Sequence, residues 1–381
     1  MKTLISDASE TVSLKPIYIP IVLLLVVEIF GYFRYGHEYQ GGFYLLQVLL
    51  LWLFILGGAS WKFRVRHVRF AGLINGVVLV LFLVKWAYDG FNLVSYKGFY
   101  ALENYYAVLL YCMFFFSVLA LVYSRKFARI LYILLAFGNL ALIYATSARS
   151  VMIGIFITAC AALFLKLFRS KFRYLFYLIL LGNMAFIGIY IWLKTTSIGN
   201  VLNDLSRSIF NKNLFSGRIE IWEQIFREIM AKPLLGHGVG ADARMFTEQR
   251  LTAHNFYLQV LLENGIVGLV IMLLVLFGIW KLLNRNLESF AARWSACFML
   301  GLLVYENLEL TMTQNNFSIA MFQWLIITFG IQFISKQPDT EKEKIEMTQV
   351  GQEEAVRAQL ENAFDMRETR ISRKQRNTRK K

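Results

Sequence analysis

The sequence predicts an all-α fold: a polytopic membrane helix bundle of about ten transmembrane helices, with one large extracytoplasmic loop that contains amphipathic helices. Three observations carry that expectation. Hydrophobic residues make up 57% of the chain and charged residues only 17%, against about 45–50% and about 25% in soluble domains. The excess falls in blocks of roughly 17–21 residues, the length that crosses a bilayer core as helix. Basic residues then concentrate in alternate connections between the blocks.

The blocks are 17–33, 43–60, 70–88, 104–123, 130–146, 149–168, 174–193, 265–283, 291–309 and 317–334. The first is longer than a signal-peptide core, contains Glu28 and lacks a small-residue cleavage pattern, so it reads as a retained helix. One set of connections carries Lys62, Arg64, Arg66 and Arg69, then Arg125, Lys126 and Arg129. It continues with Lys166, Arg169, Lys171 and Arg173, then Lys281, Arg285 and Arg293. The alternate short connections carry only Arg34 and Lys97. With Lys2 and Lys15 at the start, the positive-inside rule places both termini in the cytoplasm. Cys112, Cys160 and Cys297 all lie inside hydrophobic blocks and read as core residues, with no disulfide framework or zinc spacing.

The membrane domain is expected over 1–334, followed by a charged tail over 335–381. In 367–381 eight basic residues stand against Glu368, a composition suited to a disordered segment or a loose helix on anionic lipid. The net charge of +15 follows largely from topology, so nucleic acid is not an expected partner.

One connection breaks the rule of short loops. Residues 194–253 form a long external segment, and long loops are usually functional. Ile219, Trp222, Phe226 and Ile229 recur on one helical face there, and Glu220, Glu223, Arg227 and Glu228 take much of the rest. Such a helix would lie on the outer leaflet or cap the bundle. Pro233 ends it, and Gly236, Gly238 and Gly240 mark a tight turn.

Three ionisable groups converge on the outer face in this topology. Arg149, in the very short turn between the fifth and sixth blocks, is either an arginine snorkelling to the interface or a guanidinium for a lipid-borne phosphate. Arg218 starts the loop helix, where a cation opposes the dipole. It is either a solvated surface residue or shares an anion with the free N–H groups. His254 stands where the long segment re-enters the membrane. It reads as an interfacial residue at the start of a short helix, 255–263, broken by Asn264–Gly265, or as a base that titrates near neutrality. Asn255 beside it offers an amide for sugar or phosphate. Glu306 and Glu309, near the outer end of the ninth block, are costly inside a membrane and mark either function or a satisfied ion pair. Glu28 and Lys85 raise the same question more weakly. No paired aspartates, phosphate-binding loop ending in Lys-Ser/Thr, His/Cys cluster or Gly-x-Ser-x-Gly occurs. No metal or cofactor is therefore expected.

At these residues the chain resembles the O-antigen ligase and polysaccharide polymerase superfamily. The carriers are Ser216, Gly217, Arg218 and Trp222 followed by "PLLGHGVG", then His254–Asn255 with "LLENGIVGL", and "TSARS" around Arg149. They span Thr146 to Leu276. The resemblance implies a glycosyltransferase of the bacterial inner or plasma membrane that uses a glycan on undecaprenyl diphosphate at the outer face. It implies catalytic roles for His254, Arg218 and Arg149, without metal or nucleotide. Asn255, Ser216, Trp222 and Glu306 are the expected substrate-binding residues. Partners would be the lipid-linked oligosaccharide, membrane lipid, and a flippase or chain-length regulator. Polymerisation of O-antigen, capsule or exopolysaccharide repeat units is the leading reading. Ligation of a finished glycan to a lipid or wall acceptor is the second, and lipid-linked oligosaccharide transport the third. Relatives often have about twelve spans where ten are read here.

Overall fold

A computed structural model describes residues 13–35, 41–210, 213–215 and 217–334. The chain divides into a unit spanning Met1–Phe333 and a second spanning Ile334–Lys381. The charged tail expected over 335–381 lies outside the described residues, as does Ser216.

Among the described residues there are twelve α-helices and no strand. They are α1 (Lys15–Tyr35), α2 (Gly41–Ser60), α3 (Val65–Tyr88), α4 (Glu103–Tyr123), α5 (Lys126–Thr146), α6 (Arg149–Leu167) and α7 (Phe172–Lys194). There follow α8 (Ser197–Phe210), α9 (Arg218–Ala231), α10 (Phe256–Arg285), α11 (Phe290–Tyr305) and α12 (Phe317–Phe329). Helix suits these blocks because a backbone in hydrocarbon must satisfy its own hydrogen bonds. Eight of the helices, α1 to α7 and α10, are long and apolar enough to cross a membrane.

The ninth and tenth expected spans are shorter than predicted. α11 has 16 residues and α12 has 13. α11 stops because a polar segment after Tyr305 turns inward instead of continuing the helix, whereas α12 starts at the expected Phe317 and ends early, before Gly330. Glu306 accepts from Thr311 N at 3.0 Å and from the Thr311 hydroxyl at 2.5 Å, and Asn316 donates to Leu310 O at 2.7 Å. Buried backbone outside a helix is tolerated where side chains satisfy it in this way.

α4 is apolar all round and buried along most of its length, the mark of a central helix. α5 packs on α4, α6 on α11, α1 along α10, and α12 on α2. At Gly301 of α11 an added Cβ would stand 2.1 Å from Thr158 Oγ1 and 2.5 Å from Gly154 O. Small residues allow that close crossing, as is common between helices in lipid. Outward faces are as apolar as inward ones: Leu53, Leu81, Phe137 and Leu178 are all exposed. Cys160 is exposed on that same kind of surface, contrary to the expectation of a core position. A lipid-facing position tolerates a small apolar thiol as readily as a core one does. Lys85 forms an ion pair with Asp89, whose carboxyl the bond from Lys85 holds below the usual range. Glu28 accepts from Trp52 Nε1 at 3.1 Å.

The loop helix forms as α9, with one correction to its buried face. Ile219, Ile221, Trp222, Ile225 and Ile229 are buried and Phe226 is exposed. The buried stripe is rotated because α9 caps the bundle against Leu258 and Leu262 of α10. A second amphipathic helix of the kind expected in this segment forms as α8, although the sequence pattern assigns no residues to it. Its apolar residues Ile198, Val201, Leu205 and Ile209 are exposed.

Candidate functional site

α5 ends at Thr146 and α6 begins three residues later at Arg149. The turn is possible because Ser147 adopts φ 55°, in the left-handed region. Thr146 Oγ1 accepts from Ala148 N at 3.2 Å. The α3–α4 connection braces the turn, with Tyr96 N donating to Ala145 O at 3.0 Å and Ser95 N to Ser147 Oγ at 3.3 Å. Arg149 is thereby held at the first position of α6, and its Nη1 donates to Ser206 Oγ of α8 at 2.5 Å.

Arg218 occupies the equivalent position in α9, after Gly217 at φ 73°. Its Nη2 donates to Leu308 O at 3.0 Å and lies 3.6 Å from Glu309 Oε1. Both arginines line one cavity of about 660 Å³, within the usual size range of small-molecule sites. Glu103, Asn104, Ser150, Ser206 and Glu309 supply its other polar wall, and Ile153, Phe156, Leu202, Leu205 and Ile209 an apolar one. Two arginines, each at the first position of a helix, therefore line the same space. Guanidinium forks that share a cavity suit an anionic ligand.

His254 stands beside this cavity, on its Glu309 side. Its backbone has φ 43°, unusual for a residue with a Cβ and a form of local strain that costs on the order of 1–3 kcal/mol. The flanking residues hold it there. Trp222 Nε1 donates to Ala253 O at 2.8 Å. Asn255 caps α10 by accepting from Leu258 N at 3.0 Å, and it donates to Asn307 O at 3.0 Å. His254 Nδ1 lies 3.4 Å from Glu309 Oε2. The break expected after Asn264 is present: Gly265 has φ 62° and ψ −166° inside α10. A Cβ there would meet Leu234 O at 2.3 Å, so the chain needs glycine.

The structure thus brings Arg149 and Arg218 together and places His254 next to them. Trp222 and Asn255, expected to bind substrate, are buried and committed to backbone groups, so they position the His254 loop. Glu306 faces Thr311 and Gln323, away from the cavity. Of Glu306 and Glu309, the second is the one that lines the cavity. Placing both inside the ninth block missed this, because the helix has already ended at Tyr305. Asn104, Ser150 and Ser206 carried no signal in the sequence at all.

Residues 133–273 match the family described as O-antigen ligase. The chain carries an O-antigen ligase-type domain. That match, with the eight long apolar helices, supports a multi-pass membrane protein of the O-antigen ligase type. No curated protein matches the chain. Within the ligase-type domain lie Arg149, Arg218 and His254, together with α8 and α9. Glu309 lies outside the matched segment and reaches the site only through the fold.

Proposed function

We propose that the protein transfers glycan from an undecaprenyl-diphosphate-linked donor at the external face of the bacterial plasma membrane, joining repeat units of a surface polysaccharide. The observation that supports this reading is the pair of helix-start arginines facing one cavity with an apolar wall. Breaking an anomeric carbon–oxygen bond to diphosphate develops negative charge on the leaving group. Fixed donors shielded from bulk water stabilise that charge most. As the acceptor hydroxyl attacks C1, its proton passes to His254, and the diphosphate leaves with the bond electrons. Attack from the face opposite the diphosphate inverts the anomeric centre. Neither a metal nor a nucleotide has a part in this scheme. The family description favours a second reading, transfer of a finished glycan to a lipid or wall acceptor.

The test uses purified protein in lipid nanodiscs with the lipid-linked repeat unit as sole substrate, its products resolved on a gel. A ladder is expected from the native protein and none from Arg149→Ala, Arg218→Ala or His254→Ala, all three still folded. Product that appears only after a separate acceptor is added makes the protein a ligase. Native-length ladders from both arginine variants would end the two-arginine reading.

A further inference from the structure

Glu309 is tied to four separate elements. Its Oε1 accepts from Asn104 Nδ2 of α4 at 2.9 Å and from Ser150 Oγ of α6 at 3.3 Å, and lies 3.6 Å from Arg218 Nη2 of α9. Its Oε2 faces His254 Nδ1 at 3.4 Å. The carboxylate is 95% buried, and its neighbours are one arginine, one histidine and two neutral donors. A buried carboxylate is stable only with such partners.

We propose that Glu309 is the positioning residue of the site, setting the tautomer of His254 while fixing Arg218 in the cavity wall. This rests on the transfer reading above. With Oε2 accepting, Nδ1 carries the proton and Nε2 is the basic nitrogen. During transfer Nε2 takes the acceptor hydroxyl proton as the oxygen–C1 bond forms and the C1–oxygen bond to diphosphate breaks. The imidazolium that results lies against the Glu309 carboxylate, which favours the charged form. Arg218 and Arg149 on the neighbouring helices oppose it, and Glu103 of α4 and Tyr190 of α7 complete the ionisable wall of the cavity. Glu309 also balances part of the positive charge before a donor arrives. It thereby offsets the repulsion between two guanidinium groups that share one cavity.

The experiment follows the histidine directly. Full-length protein carries four histidines, so ¹⁵N-histidine labelling in nanodiscs resolves them, with His254 assigned by its loss in His254→Gln. In the native protein His254 is expected as the Nδ1–H tautomer. In Glu309→Gln that tautomer should no longer be fixed. Transfer by Glu309→Gln should fall by on the order of 100-fold in kcat with donor KM nearly unchanged, the range seen when the group orienting a histidine is lost. Glu309→Asp should recover a large part of both effects. A tautomer unchanged in Glu309→Gln would overturn the proposal, whether or not the protein transfers glycan. The expected change of tautomer without transfer by the native protein would instead overturn the transfer reading and leave the positioning role standing.

Discussion

α8 and α9 lie in the same external segment, have 14 residues each, and show the same amphipathic period, yet they use it in opposite ways. α9 buries its apolar stripe: Ile225 is fully buried and Trp222 nearly so, stacked near Phe186 and Tyr190. α8 leaves Ile198, Val201, Leu205 and Ile209 exposed, with Leu205 and Ile209 along the cavity. Periodicity reports that a face is apolar, not what covers it. One helix is a fixed cap that sets Arg218. The other is a wall of the cavity that touches Arg149 through Ser206.

The comparison breaks most sharply under the same substitution in each helix. Ile225→Asn places an amide in a closed apolar contact and should cost about 3–5 kcal/mol, displacing Arg218 and abolishing transfer. Val201→Asn, on an exposed face, should change stability by about 0.5 kcal/mol or less in detergent. Thermal unfolding of the two variants, side by side, checks both. Equal losses would mean that α8 is also packed, and the contrast would fail.

A smaller effect tests the link between α8 and the site. Ser206→Ala removes one hydrogen bond to Arg149, worth about 1 kcal/mol. Donor KM should rise roughly fivefold, since 1.4 kcal/mol corresponds to about tenfold, while the melting temperature stays near that of the native protein. A KM that does not move would show that α8 is only a wall.

What was legible in the sequence follows from which physics acts locally. The membrane-spanning helices were readable because length and hydropathy are set residue by residue, and the turn at Arg149 because a gap between two apolar blocks leaves no alternative. The Asn264–Gly265 break was legible from glycine. Glu309 was not: its role depends on α11 ending at Tyr305, and the end is made by Glu306 bonding to Thr311 five residues on. The left-handed backbone at His254 was likewise hidden, because tertiary bonds from Trp222 and Asn255 hold it. The exposed face of α8 could not be told from the buried face of α9, since both are written in the same apolar residues.

The weakest tie between the cap and the bundle should also be the least consequential. Lys194 at the end of α7 donates to Glu220 of α9 at 2.9 Å, with both side chains about half exposed. That bond holds the Glu220 carboxyl below the usual carboxylate range. A depressed carboxyl contributes stability above its unfolded value, about 4.3, and the contribution disappears as pH falls through the folded value below it. For an exposed pair the whole effect is about 0–1 kcal/mol and is screened by salt. Lys194→Gln should therefore leave the melting temperature unchanged within a degree or two between pH 5 and pH 8, and leave transfer intact. A large loss would mean that this pair, not the buried stripe of Ile221, Trp222 and Ile225, seats α9. The contrast between a packed cap and an exposed wall would then rest on charge rather than burial.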